Sequence, residues 1–586
     1  MDASPNSTIA RVLDIPEILE LVFSFLDKDL NKNNITVCKK WSELAMNIVW
    51  RDVNCPRRLF SLLAPMKRRV ERYDVYDHWV FSKTFGVPDW TRFMQYSRRV
   101  RSMHYDERAL ATNSIISQEA FDEMSRSRTN LNILPNLRSL VWLATSVVRM
   151  RHSLLFQHES ITSFTVYLHH TELYPLSAFV QEVLLRMPNL LNLDLRFERP
   201  AREIERELIE LFAGLPMLQR VVLPVYTLTS KIIEQLSKHQ HLGTIQFEYV
   251  NDQGHGEMQD VVDWDPQLGE GSFPALWDLS LSTKIPAITK FIHNGYMPSS
   301  LKSLYIHVLA AVPVESVSHF LEMLSNSCKH LTHLYLDFFT SSTISPTPPE
   351  WPRLNWASLR PILAFPQLIS LELRWDRPLD ISLSDIEEMA SQWPHLETLL
   401  LNCEPMDMTI PPALDLRALL PFARHCPKLV ELGLYMTASN DIPVPQLDYH
   451  TPTPTKPFSS LEQITVGGSR ITDVGHVAMF LSQICPVGCT VAYGVAWPDG
   501  YGVVETAGNA EELGRMQEDA TGNFQRWEEV NRMLPLLVRL RMDERKARED
   551  VQREVEDLRI RCGLLAERRA AGGKLGFADG EGCVPF

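Results

Sequence analysis

The sequence predicts an α/β repeat protein: stacked strand–helix units with a parallel sheet on the concave side and helices on the convex side. A three-helix motif precedes the stack and a helical tail follows it. Three observations predict this. A Leu-x-x-Leu-x-Leu phrase returns from residue 134 onward, amphipathic segments separate its copies, and 586 residues are too many for one ordinary core unless the core grows by stacking.

Residues 10–55 form the N-terminal helical motif. Asp14 and Glu17 stand as a capping box, with Pro16 tolerated in the first turn. Ile15, Ile18 or Leu19, Val22 and Leu26 then recur at helical spacing, and Val37, Trp41, Leu44 or Ala45 and Ile48 repeat the period in a further helix. A unit this small buries little surface alone, so its remaining apolar face needs a cover from the chain or from a partner. Residues 56–133 are expected to supply linker helices and the N-terminal cap of the stack.

The repeats occupy 134–500. Clear copies of the phrase include Leu137/Leu140/Trp142, Leu190/Leu193/Leu195, Leu218/Val221/Leu223, Leu242/Ile245/Phe247, Leu276/Leu279/Leu281 and Leu301/Leu304/Ile306. It continues through Leu331/Leu334/Leu336, Leu368/Leu371/Leu373, Leu396/Leu399/Leu401, Leu429/Leu432/Leu434 and Leu461/Ile464/Val466, with a weaker copy at Ile161/Phe164/Val166. The spacing of roughly 24 to 37 residues is that of leucine-rich repeats. Alternate strand residues point inward and the intervening ones outward. Amphipathic helices at 201–215, 317–327 and 384–393 fill the gaps. About twelve strands spaced by ~4.8 Å make an inner surface of order 50 Å, suited to a protein ligand.

Loop insertions are expected at 251–272, which is acidic and contains glycine, and at the Pro-rich stretches 345–352 and 441–457. The segment 509–570 turns rich in Glu and Arg. Trp527, Val530, Leu534 and Leu537, then Val551, Val555, Leu558, Cys562 and Leu565, fit a heptad. Arg541, Glu544 and Arg548 break that seam and Pro535 interrupts it, which favours a helix capping the stack over a coiled coil. Residues 571–586 are expected to be a disordered tail.

Composition narrows the function. A net charge of −14 lacks the Lys/Arg footprint that holds a phosphate backbone, so no nucleic-acid partner is expected. No run approaches the ~20 apolar residues of a membrane span, and no secretory signal precedes residue 10. With nine scattered cysteines, these features predict free thiols in an intracellular setting, cytoplasmic or nuclear. P-loop, nucleophile-elbow and zincin signatures are missing. Cys485 and Cys489 have a plausible metal spacing without a second ligand pair. His169, His170, Asp260, Asp263 and Asp265 lie on separate segments and read as solvated. The chain is expected to be no enzyme and to need no cofactor or metal.

A resemblance adds what spacing alone does not give. Asp14 to Leu26 with its Ile15-Pro16 start, Val37 and Cys38 before Trp41, and Ile48 to Arg51 strongly resemble the F-box. The segment from Pro88 through Trp90 and Phe93 to Arg101, the entry into repeats at Leu134, and Trp527 to Val530 resemble fungal-type F-box proteins with irregular leucine-rich repeats. One departure is the run Asn31 to Asn34, more polar than the family's usual second helix.

The resemblance implies a substrate-recognition subunit of an SCF-type cullin–RING ubiquitin ligase. It would dock on the small adaptor subunit, and through it on the cullin, and would hold an unidentified protein target on the repeats. Ile15, Pro16, Ile18, Leu19, Val22, Leu26, Val37 and Trp41 would then supply the docking face and the motif's own core. Outward strand residues Tyr305, His333, Tyr335, Asp337, Arg374 and Tyr435 are the candidate target contacts, since aromatic and Arg side chains dominate interface energetics. His307, Glu372, Asp194, Arg196, Arg220, Glu248 and Asp278 share the outward pattern. The alternative is a repeat scaffold with no ligase role. Exposure separates the two: a docking motif leaves Ile15, Leu19, Val22 or their neighbours accessible, whereas a cap buries them.

Overall fold

A computed structural model describes residues 15–69, 78–108, 115–169, 171, 174–247, 253–338, 353–405, 408, 410–445, 456–494 and 510–572. Asp14, His170, Glu248, the Pro-rich stretch 345–352, residues 446–455 and the tail from 573 onward lie outside the described residues. The chain divides into two compact units, Met1–Pro352 with Ala357–Phe365, and Arg353–Trp356 with Pro366–Phe586.

The first unit opens with three helices, α1 (Pro16–Ser24), α2 (Lys28–Asn34) and α3 (Lys39–Val49). The N-cap position of α1 is Ile15 itself, in extended backbone and without a side-chain cap, and Pro16 begins the first turn, where its missing N–H costs nothing. Leu19, Phe23 and Ala45 are buried at the centre, with Leu26, Ile35, Trp41, Leu44 and Ile48 packed around them. The polar run that departs from the family pattern is α2, and its Asn31 is fully buried. Its Nδ2 donates to the carbonyls of Phe23 (2.8 Å) and Leu26 (3.1 Å), tying α2 to the C-terminal end of α1. Asn31→Ala should therefore cost about 1–3 kcal/mol, the penalty of losing hydrogen bonds inside the motif. Faster hydrogen exchange across α1 and α2, with the repeats unaffected, is the measurement that checks it.

A parallel ladder follows: β1 (Asp52–Val53), β2 (Ser102–Asp106), β3 (Ser139–Leu143), β4 (Ser163–Tyr167), β5 (Asn192–Arg196), β6 (Arg220–Val222), β7 (Thr244–Gln246), β8 (Asp278–Thr283), β9 (Ser303–Val308) and β10 (His333–Asp337). Its register aligns Met103, Leu140, Phe164, Leu193, Val221, Ile245, Leu279, Leu304 and Leu334 in one buried row. The first Leu of each phrase, Leu137 through Leu331, forms a second buried row. Each such side chain contributes about 1.5–3 kcal/mol by leaving water, and the stack makes that burial possible because no single strand–helix unit could enclose it. The ladder starts before residue 134: β1 and β2 are already in register, with Met103 and Tyr105 where later strands carry Leu. A small sheet of Met66–Arg69, His78–Phe81 and Ile115–Ile116 lies outside the ladder.

The insertion expected at 251–272 is not a solvated loop. Gln253 is fully buried; its Nε2 donates to the Leu195 carbonyl, 3.1 Å away, and its backbone carbonyl accepts from the Phe197 N–H. Gly254 has φ +80°, and a Cβ there would meet the Phe197 carbonyl oxygen at 2.0 Å, so only glycine fits. Met258 and Val261 pack on Leu309 with Tyr226 and Val262. The acidic residues pair locally, the covered Asp260 carboxylate with Arg202 at 2.8 Å and the exposed Asp265 with Lys290 at 2.7 Å.

The second unit repeats the design in β11 (Ser370–Arg374), β12 (Thr398–Leu401), β13 (Glu431–Leu434), β14 (Gln463–Gly467) and β15 (Thr490–Tyr493). Leu371, Leu399, Leu432, Ile464 and Val491 form its buried row. A second set of short parallel strands, Leu414–Asp415, Met436–Ala438 and Arg470–Ile471, lies beside it. One helix, Ala510–Gly572, runs through Pro535 and closes the last repeat. Trp527, Val530, Leu534 and Val538 are buried, whereas Val551, Val555, Leu558 and Leu565 are exposed, so the proximal half of the heptad pattern is a cap.

Candidate functional site

The N-terminal motif buries one set of apolar side chains in its own core and leaves a second set exposed. Within the family-implied set, Leu19 is buried, Ile18, Leu26 and Trp41 are half-buried, and Ile15, Pro16, Val22 and Val37 are exposed. Leu19 and Trp41 thus serve the motif's own core, Trp41 meeting the Phe23 ring edge-on at 5.2 Å. Three further side chains join the exposed set: Leu21, Leu30 and Phe25, the last 82% exposed. Val22 and Phe25 lie three residues apart, the spacing that brings side chains onto one helix face. Phe25 could have been found in the sequence as the i+3 partner of Val22, but the apolar run Leu19 to Leu26 leaves the two faces of α1 hard to separate by composition. Arg99 fixes the motif to the chain behind it by donating to the Glu43 carboxylate and the Asn47 side-chain oxygen.

The outward residues of β9 and β10 converge. Tyr305 and Tyr335 stand in register on neighbouring strands with rings stacked at 6.1 Å, and His333 lies 6.5 Å from Tyr335. Phe247, which the repeat phrase assigns to the interior, falls just past the end of β7 and is half-buried, its ring edge-on to Tyr305 at 5.0 Å. Tyr305 donates its hydroxyl to Asp337 (3.2 Å). Asp337 is buried and also lies 3.4 Å from Nδ1 of buried His307, whose Nε2 meets the Tyr226 hydroxyl at 3.0 Å. The result is a half-exposed aromatic surface over a buried polar network. Asp337 holds Tyr305 in place instead of facing a ligand. Spacing could not reveal that, because it fixes the face a residue occupies but not what covers it.

In the second unit, Arg374 is half-exposed and pairs with Glu372 on its own strand at 2.9 Å. Tyr435 is buried instead of outward. The chain leaves β13 at Leu434 and continues as the strand Met436–Ala438, placing Tyr435 among Leu379, Leu401 and Leu414. Of the early strands, Asp194 and Arg196 pair with each other at 3.1 Å, and Gln253 of the insertion reaches Asp194. Asp278 is buried, accepts from Gln246, and has its carboxyl pushed above the ordinary range by burial.

Among the described residues no three His, Cys, Asp or Glu side chains come together to hold a metal ion. Cys328 and Cys426 are buried thiols pushed up to about 12 by burial, and Cys485, beside Cys489, is raised by their mutual hydrogen bond and by burial. Among the described residues no helix is long and apolar enough to cross a membrane.

No protein-family profile matches the chain, and no curated protein matches it in sequence. Solved structures do. The complex of Rad7 and Elc1 in yeast matches at 12% identity and TM-score 0.37, over 79% of this chain and 98% of that one. The complex of TLR13 with ssRNA13 matches at 12% identity and TM-score 0.29, over 70% of this chain and 58% of that one.

Proposed function

We propose that this chain is a substrate-recognition subunit of an SCF-type cullin–RING ubiquitin ligase, its N-terminal helices docking on the small adaptor subunit and its repeats holding a protein target. The observation that carries the reading is the open apolar face of α1–α3. A motif that only capped the first repeat would bury Ile15, Val22, Phe25 and Val37, and all four are exposed. Large apolar side chains exposed together on a small helical unit mark an interaction site, and each gains about 1.5–3 kcal/mol if a partner buries it fully. The aromatic surface of Phe247, Tyr305 and Tyr335 supports the second half of the reading, since rigid aromatic groups with a polar handle are favoured as anchors.

The mechanism is proximity. The adaptor end is tethered to the ligase, the repeats retain the target, and the transfer chemistry belongs to other subunits. Such tethering raises effective concentration by orders of magnitude without a catalytic group on this chain. The reading belongs to the cytoplasm or nucleus.

The test is adaptor capture by the full chain and by the double variant Val22→Asp/Phe25→Asp. Both side chains face solvent, so thermal stability should be unchanged while capture falls at least about tenfold, as expected when two apolar anchors are replaced by charges. Equal capture by both proteins would leave the repeat-scaffold reading in its place.

A further inference from the structure

The chain is acidic overall, but its first repeats carry a local exception. Arg51, Arg101 and Arg138 each stand immediately before a ladder strand, and the backbone joins them. The Arg101 N–H donates to the Arg51 carbonyl and the Arg138 N–H to the Arg101 carbonyl, both at 2.8 Å. Three arginines therefore share one position on β1, β2 and β3, about 4.8 Å apart per step. At the same position the next strand carries Thr162, whose N–H donates to the Arg138 carbonyl. Like charges side by side on a sheet repel, so an in-register row of three needs a compensating anion or a tolerance for the cost.

Compensation from within is small. Arg51, Arg101 and Arg138 are exposed, and among the described residues they make no ion pair with a carboxylate. Among the described residues Arg101 and Arg138 donate to backbone carbonyls, Arg101 to Arg98 and Val100 and Arg138 to Ser160. Arg98 and Arg99 join the row from the end of the helix Val87–Ser97, and Arg99 is the member already engaged by Glu43. With Asn47, Asn136 and Glu20, these five arginines line an open cavity of about 670 Å³.

We infer that this cavity is a binding site for an extended acidic segment of a protein partner. Guanidinium forks match carboxylates in pairs, and the row spans about 10 Å, enough for two acidic side chains on one face of an extended peptide, which are about 6.6–6.8 Å apart. A nucleic-acid strand fits less well. Among the described residues no aromatic side chain lines the cavity on which a base could stack, and single-strand sites rely on such platforms. Glu20 of α1 and Asn47 of α3 reach the cavity, but none of the exposed apolar residues Ile15, Val22, Phe25 and Val37 lines it, so the site differs from the proposed docking face.

The test uses the full chain and a labelled peptide of alternating glutamate and glycine, followed by fluorescence anisotropy. Binding is expected at about 0.01 M ionic strength and should weaken markedly by about 0.1 M, as the Debye length falls from about 30 to about 10 Å. Arg101→Gln/Arg138→Gln should weaken it at least about tenfold, and Arg101→Lys/Arg138→Lys should restore only part, because lysine keeps the charge and loses the fork. Both substituted positions are exposed, so melting temperatures should match the parent chain. Undiminished binding by the glutamine variant, or no binding at the lower ionic strength, overturns the proposal. So does tighter binding of a single-stranded oligonucleotide at the same arginines. Adaptor capture by the same variants is a separate readout, so either proposal can fail alone.

Discussion

Trp527→Ala is expected to detach the C-terminal helix from the last repeat, at a cost of about 3–5 kcal/mol for removing a buried indole. Trp527 is fully buried, and its Nε1–H donates to the Ser469 carbonyl at 2.8 Å. The same helix finishes the sheet. Asn531 accepts the Val491 N–H of β15 at 2.8 Å, and Arg545 donates to the Gln483 carbonyl at 2.7 Å. An uncovered edge strand would present those groups to any passing chain. Limited proteolysis should therefore cut the variant between the last repeat and the helix, with the first unit intact. Identical cleavage of variant and parent would mean that the helix is held by other contacts.

The second large effect is expected at Glu107. Its side chain is wholly buried and accepts from the Tyr105 hydroxyl (2.6 Å), from the N–H and hydroxyl of Thr145 (both 2.9 Å), and from Arg149 at 3.4 Å. Breaking a buried charge pair by deleting one partner typically costs about 3–5 kcal/mol, because the other groups lose their acceptor inside the fold. Glu107→Ala should lower the unfolding midpoint of the first unit accordingly. A drop no larger than that of an exposed Glu→Ala change would contradict the assignment.

Tyr105 gives this region a pH dependence. Burial, reinforced by the Glu107 charge, raises its phenol well above the ordinary value near 10. The folded phenol thus stays neutral while the unfolded one ionises, so stability is lost as pH rises above the unfolded value and is unaffected below it. Tyr105→Phe should flatten that alkaline slope in a titration of melting temperature.

How much of this was legible follows from the physics of each element. The ladder from β3 onward was readable because inward positions of a stacked strand accept little except Leu, Ile, Val or Phe, at fixed offsets. Strand β2 was not, because Met103 and Tyr105 do the same work outside the phrase. The insertion after residue 251 has no period, so nothing signals that Gln253 and Gly254 press against β5. Alternation placed Tyr305, His333 and Tyr335 on the outward face, and they lie together there. It also placed Tyr435 there, and Tyr435 is instead buried beside Leu379, Leu401 and Leu414, where the chain passes from β13 into the strand Met436–Ala438. The row of Arg51, Arg101 and Arg138 was invisible, since only the register of three strands brings together residues so far apart along the chain.

Hydrogen exchange of the full chain, with and without the SCF adaptor subunit, tests the central claim most directly. The account predicts slowed exchange concentrated in α1–α3, over residues 15–50, with the ladder from β3 to β10 unchanged. No slowing in those helices at saturating adaptor, or slowing confined to the repeats, would contradict it.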